Sequence, residues 1–216
     1  MKTLLLCLMC LWALPAQACR LALVLAVDVS GSIDPSEYRF QMDGMAEALR
    51  DPAIVEALVF GQVALSVVQW SGVGEQEQTL PWQRMLSEEA VERFAQRIER
   101  APRRWDNSKT ALGEAMAFMR RSFDAVPDCT RRVIDISGDG MTNAGRDTAT
   151  QSKAMVPDGI TVNGLAIDRV GRSVTEFYRR FVITRRTGFV MTATGYSDYP
   201  RAISDKLFRE VLQPAF

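Results

Sequence analysis

The sequence contains no histidine. Its absence removes both the commonest general base and the commonest side-chain ligand of transition metals. Neither sign of charge is in excess, since 26 Lys and Arg stand against 26 Asp and Glu. Nucleic-acid binding needs a concentrated positive field to displace counterions. Here the arginine pairs at 103–104, 120–121, 131–132, 179–180 and 185–186 are scattered, as on a solvated surface. No low-complexity tract or fixed-period repeat is present, which excludes repeat and disordered architectures. Apolar runs are short: the longest, Leu4 to Leu14, falls below the roughly 20 residues that span a bilayer. What remains is a chain of 216 residues with ordinary globular composition, long enough for one domain with a substantial core.

Cysteine is scarce, and two of the four fall in the first ten residues. Lys2, the Leu4–Leu14 run and the small-x-small site Ala16-Gln17-Ala18 read together as a signal peptide over 1–18, followed by one domain over 19–216. The mature chain would be exported, to the periplasm or beyond, with no membrane span. Cys19 follows the cleavage site and could be acylated in a lipoprotein, but Ala16 and Gln17 match that signal poorly. Export leaves Cys19 and Cys129, an even number in an oxidising compartment. Cys19 lies nine residues before Asp28 and Cys129 ten before Asp139, each just ahead of an apolar run. If those runs are neighbouring parallel strands, a bridge between the two cysteines is in reach.

Leu21 to Val27 is continuously apolar, as in a central parallel strand covered on both faces. Asp34-Pro35-Ser36-Glu37 supplies an N-cap, a first-turn proline and a capping-box glutamate to a helix with the stripe Tyr38, Met42, Met45, Ala46 and Leu49. Strands are predicted at 62–70 and 77–84, joined as an antiparallel hairpin through Ser71 to Gly74. Helical stripes follow at Val91, Phe94, Ala95 and Ile98, and at Leu112, Ala115, Met116, Met119 and Phe123. Beyond these come a strand at 132–137, a helix at 146–155, a strand at 159–167, a helix capped by Ser173 to Glu176, a strand at 188–193 and a terminal helix with Ile203, Leu207 and Val211 buried. Such alternation predicts an open α/β doubly wound sheet, mostly parallel, with helices on both faces and ligands beyond the carboxyl ends of the strands. Asp135, inside a predicted strand, reads as a buried, hydrogen-bonded carboxylate with a structural role.

At the end of the first strand stands Asp28-Val29-Ser30-Gly31-Ser32, where alternating polar side chains on a tight turn can converge. Lacking histidine and a cysteine pair, oxygen donors of this kind favour Mg²⁺, Mn²⁺ or Ca²⁺ over zinc. Two further segments fit: Thr110 before a helix, in Asn107-Ser108-Lys109-Thr110-Ala111-Leu112-Gly113, and Asp139 after a strand, in Ile136-Ser137-Gly138-Asp139-Gly140-Met141-Thr142-Asn143. Taken singly, the serines could satisfy turn amides, Thr110 could cap a helix and Asp139-Gly140 could be a plain turn.

Together these segments resemble the metal-ion-dependent adhesion site of the von Willebrand factor A superfamily, which combines D-x-S-x-S with a distant threonine and a distant aspartate. The chain is also similar to a family of uncharacterised exported bacterial proteins within it. The resemblance covers almost all of the mature chain. It implies a six-stranded sheet in the order 3-2-1-4-5-6 with strand 3 antiparallel, and one divalent cation, Mg²⁺ foremost, on Asp28, Ser30, Ser32, Thr110 and Asp139. An unidentified protein partner would supply an Asp or Glu to an open position on the cation. Two departures stand out: Asn107-Ser108-Lys109 replaces a glycine-rich stretch, and Gly138 replaces the Thr or Ser that often precedes the aspartate. A binding domain with no catalytic residue is therefore expected. A metal-dependent hydrolase would need a base that the missing histidine does not provide, Lys109 being the one candidate beside a serine. A metal-free envelope scaffold is the other alternative.

Overall fold

Eight consecutive buried residues, Leu21–Asp28, form strand β1, and their alternation divides the core in two. Leu21, Leu23, Leu25 and Val27 point to one face of the sheet, Ala22, Val24 and Ala26 to the other. The computed structural model describes residues 19–106, 108–169 and 171–212, so the expected signal peptide lies outside the described residues. Helices α1 (Pro35–Leu49), α2 (Pro52–Phe60) and α3 (Glu88–Arg100) follow β1 and the hairpin β2 (Ala64–Trp70) and β3 (Gln76–Arg84). Next come α4 (Leu112–Ser122), β4 (Arg131–Gly138), α5 (Thr148–Met155) and β5 (Ile160–Ile167). The chain continues through α6 (Ser173–Phe177), whose last turn widens into a π-helical segment at Tyr178–Val182, then β6 (Val190–Ala193) and α7 (Tyr199–Leu212).

The six strands lie in the order β3-β2-β1-β4-β5-β6, with β3 antiparallel to β2 and all other pairs parallel, as expected from the sequence. Residues of α1, α2, α3 and α7 bury their apolar stripes on the leucine face of β1, and those of α4, α5 and the π segment on the alanine face. The ladder between β1 and β4 starts at Leu21 opposite Arg131, and continuing that offset backwards places Cys19 beside Cys129. The two are joined in a disulfide with Cα atoms 4.4 Å apart. It closes the amino ends of the two central strands, leaving the carboxyl ends to the loops.

Three local features depart from the sequence reading. Residues 50–61 show no periodic signal in the sequence, yet α2 forms, started by Asp51 Oδ1 accepting from the backbone N–H groups of Ala53 and Ile54. Its sequence is apolar but for Glu56, so no helical period is visible, and only Ile54 and Leu58 are buried. At α6 the expected capping by Ser173 does not occur: Arg172 is the cap residue and gives no side-chain bond, while Asp168 Oδ2 accepts from the N–H and hydroxyl of Thr175 at 2.9 and 2.7 Å. Thr110 does not cap α4 either, because the cap residue is Ala111. The capping box of α1 is present, with Asp34 Oδ1 accepting from Glu37 N at 2.8 Å and Glu37 Oε2 accepting from Asp34 N at 2.8 Å.

Asp135 is buried, as expected, but its partner is an ion. Lys206 of α7, itself fully buried, makes an ion pair with Asp135 and a second at 2.7 Å with Glu210, whose Oε1 also accepts from Asn163 Nδ2 at 2.7 Å. This cluster ties α7 to β4 and β5.

Candidate metal site

The site is built where β1 and β4 end side by side. Asp28 is the last residue of β1 and is fully buried. Its Oδ1 accepts the backbone N–H of Ser30 at 2.8 Å, a bond that turns the chain sharply, whereas its Oδ2 has no hydrogen-bond partner among the described residues. The turn is then held from three sides. Arg103 donates through Nη2 to the carbonyls of Val29 and Ser30 at 3.0 Å each, Gly31 N–H donates to the Ser108 carbonyl at 3.0 Å, and Ile33 N–H to the Ser30 carbonyl at 3.1 Å. Below it, buried Gln41 of α1 donates to the Asp28 carbonyl at 3.2 Å and lies 3.3 Å from the Ser137 hydroxyl, linking the ends of β1 and β4.

The hydroxyls of Ser30 and Ser32 stand 3.4 Å apart, and Ser32 Oγ donates to Asp139 Oδ1 at 2.7 Å, across 107 residues of sequence. Asp139 follows directly on β4, and its side chain is almost covered. Thr110 is held against the same loop: its N–H donates to Asn143 Oδ1 at 2.9 Å, and its carbonyl accepts from Asn143 N at 2.9 Å and Thr142 Oγ1 at 3.1 Å. A Cβ placed on Gly140 would lie 3.9 Å from Thr110 Oγ1. The structure thus brings Asp28, Ser30, Ser32, Thr110 and Asp139 to one rim, at the carboxyl edge of the sheet where ligands bind in open α/β folds.

Electrostatics give this rim its character. Burial, more than any other influence, pushes the Asp28 carboxyl up to about 7, against the lowering hydrogen bonds from Ser30 and with added repulsion from Asp139. An ionised carboxylate with one oxygen unpartnered in the interior is costly unless a cation meets it. The carboxylate stands at the start of the turn that carries the Ser30 and Ser32 hydroxyls, and a carboxylate with neutral hydroxyl oxygens is a donor set that a hard divalent cation fits. Among the described residues no three Cys, His, Asp or Glu side chains gather in a metal-binding group. Any cation held here would therefore depend on hydroxyl oxygens as well as on the two aspartates.

Three participants escaped the sequence reading. Tyr178, at the start of the π segment, is fully buried, and its hydroxyl has no partner among the described residues. That hydroxyl and Asp28 Oδ2 lie 2.7 and 2.8 Å from the point where a Cβ on Gly138 would stand. Any side chain at 138 would collide with both, so the glycine makes room for a phenol beside the aspartate. Burial first, then the charges of Asp28 and Asp139, hold the Tyr178 hydroxyl well above the usual phenol range, so it stays a neutral donor. Arg169, in the loop after β5, donates through Nη2 to Asp139 Oδ2 at 2.9 Å and pairs through Nη1 with Glu37 at 2.9 Å. Glu37, read from sequence only as a capping residue, is the third. The side chain of Lys109 is exposed at the same rim.

A family model described as "Protein of unknown function (DUF1194)" matches residues 18–215. A comparison with curated proteins gave no match. Among solved structures, proximal thread matrix protein 1 from the mussel byssus superposes with a TM-score of 0.68 at 20% identity, covering 91% of this chain and 49% of that one. One structure of that protein is described as having a zinc-occupied metal-ion-dependent adhesion motif. The pilus adhesin SpaC of Lactobacillus rhamnosus GG gives a TM-score of 0.66 at 11% identity, over 91% of this chain and 31% of that one. The von Willebrand factor domain of the type V pilus tip protein Mfa5 from Porphyromonas gingivalis gives 0.65 at 8% identity, over 93% and 99%. At these identities the likeness is one of fold. The present chain spans about half of the mussel protein and about a third of SpaC.

Proposed function

We propose, for a chain that belongs to the family described as "Protein of unknown function (DUF1194)" and has the von Willebrand factor A fold, that it is an exported domain which binds a protein partner through a divalent cation. The observation that carries this reading is the buried, unpartnered Oδ2 of Asp28, set at one rim with the hydroxyls of Ser30, Ser32 and Thr110 and with Asp139. Asp28 and Asp139 would balance a doubly charged ion, and the three hydroxyls would add neutral oxygens, a set that suits Mg²⁺ first and Mn²⁺ or Ca²⁺ next. When bound, such an ion offers an electrophilic position to an incoming carboxylate. The chain's part is to hold the ligands rigidly: Arg103 and Gln41 fix the first turn, and Asn143 fixes the threonine loop to the aspartate loop.

The fold neighbours described as a byssal matrix protein, a pilus adhesin and a pilus tip protein support an interaction role, and the zinc in one of them supports a divalent ion. The Cys19–Cys129 bridge supports export. No helix among the described residues is long and apolar enough to cross a membrane. The role assigned is binding without catalysis: the chain has no histidine, and among the described residues the one carboxylate that accepts from a serine hydroxyl here, Asp139, is itself paired with Arg169. One observation favours the metal-free scaffold instead: Arg169 already meets part of the Asp139 charge.

Calorimetry separates the two. The purified domain titrated with Mg²⁺, Mn²⁺ or Zn²⁺ should take up one ion, and Asp28→Ala should take up none. A pull-down from envelope extract, with Mg²⁺ and again with chelator, should then retain a partner only with the ion. A wild-type domain that binds no cation would end this reading.

A further inference from the structure

Arg169 comes from a fixed support. Asp168, just before it, is buried, its N–H donates to the Ala193 carbonyl at 2.8 Å, and its carboxylate holds Thr175 of α6. From there the Arg169 guanidinium lies over the ring of Tyr196, 5.2 Å from its centroid, in the loop between β6 and α7. It reaches Asp139 Oδ2 and Glu37 Oε1 at 2.9 Å each, and the Ser32 carbonyl at 3.4 Å. The side chain is 48% exposed, whereas the Asp139 side chain beneath it is 4% exposed. A guanidinium has five N–H donors; with Nη2 given to Asp139 and the Ser32 carbonyl and Nη1 to Glu37, two donors of this half-exposed side chain are unspent among the described residues. A residue that only neutralised Asp139 would not need to be half exposed above the one carboxylate that joins the site from β4.

We propose that Arg169 is the second point of recognition for the partner's acidic residue. The carboxylate would present one oxygen to the cation and the other to the Arg169 fork. This rests on the metal-dependent reading above and adds a specificity residue to it. The ligand class follows from the geometry: a planar, two-oxygen anion can engage ion and fork together, and a monodentate anion cannot. The same residue opposes the ion, because it competes for the negative charge of Asp139. Its removal therefore acts in opposite directions on the two binding steps, which a purely structural role would not do.

The experiment uses Mn²⁺, followed by water-proton relaxation, and then an N-acetylated, C-amidated glutamate, whose side-chain carboxylate is its only charge. On wild type the glutamate should displace Mn²⁺-bound water saturably. Arg169→Ala should bind Mn²⁺ several-fold more tightly but the glutamate about tenfold more weakly, the scale of one charge-assisted hydrogen-bond pair. Arg169→Lys keeps the charge and loses the fork, so its Mn²⁺ affinity should stay near wild type while its glutamate affinity falls. Circular dichroism confirms that both variants are folded. Glutamate affinity unchanged in both variants, with Mn²⁺ still bound, overturns the role of Arg169 alone. Failure of wild type to bind Mn²⁺ overturns the site reading and this inference with it.

Discussion

Replacing Asp28 by asparagine should move the stability of the domain in opposite directions with and without cation. Asp28 is fully buried, and only Oδ1 is partnered, by Ser30 N–H at 2.8 Å. An asparagine carbonyl can keep that bond. Its amide would fall where Oδ2 now stands and carries no charge to be stripped of water. A buried polar group left unsatisfied costs about 1–3 kcal/mol, and more when charged. In chelator at pH 8, Asp28→Asn should accordingly be more stable than wild type by about 1–3 kcal/mol. For a domain of this size each kcal/mol moves Tm by roughly 2–4 °C. A cation at 100 times its Kd adds about 2.7 kcal/mol to the state that binds it, and only wild type should gain it, so the order of the two proteins should narrow or reverse. Differential scanning calorimetry in chelator and in excess Mg²⁺ measures both effects. A variant less stable than wild type in chelator, or one stabilised equally by Mg²⁺, would refute the claim that Asp28 is held uncompensated for an ion.

Two further outcomes follow from the fold. The Cys19–Cys129 bridge has a sequence separation of 110, and a loop of about that length restricts the unfolded chain by about 4–5 kcal/mol. The double Cys→Ser variant should therefore lose stability on that scale in urea melts while keeping its cation affinity, because the bridge lies at the sheet end opposite the site. Asp135 is pushed up to about 7, chiefly by burial and then by the charge of Glu210, with Lys206 opposing. A carboxyl raised on folding holds a proton that the unfolded chain has released, so its contribution to stability falls as pH rises from about 4 to about 7. Asp135→Asn should remove that slope. Its Tm relative to wild type should climb across the window, and parallel curves would show that Lys206 compensates Asp135 fully.

Most of the fold is legible in the sequence because burial on both faces leaves a plain mark. Leu21 to Val27 reads as a central strand since neither face can carry a polar residue, and the capping box at Asp34 marks the start of α1 through chemistry confined to four residues. Where the mark is missing, so is the reading. Helix α2 is apolar but for Glu56, and its 100° period vanishes although only Ile54 and Leu58 are covered. At α6 the local Ser173–Glu176 pattern is overridden by Asp168, a carboxylate fixed by the strand that precedes it. The Asp135 cluster was half visible: a carboxylate within a strand announces burial, but its partner lies 71 positions later in the chain, on a helix whose face is set by packing.

The five proposed ligands are legible because each sits at a strand end or a helix start, where topology alone sends polar side chains to one rim. Arg169 obeys the same rule, standing two residues past the end of β5, and a survey of every polar residue just beyond a parallel strand would have reached it. Tyr178 obeys a different one. It comes from a π-helical turn, and its place is set by what the sheet omits: a Cβ on Gly164 would stand 2.5 Å from Tyr178 Cδ1, and one on Gly138 would meet the hydroxyl. Both glycines lie inside strands, β4 and β5, on the face that carries Ile136 and Ala166. Glycine within a strand marks a close approach of some other group, so a pair of them on neighbouring strands, one just before a candidate ligand, is itself a signal for a large side chain laid across the sheet toward the site. Gly138 is then no loss of a hydroxyl next to Asp139. It is the gap through which the hydroxyl of Tyr178 comes up beside Asp28.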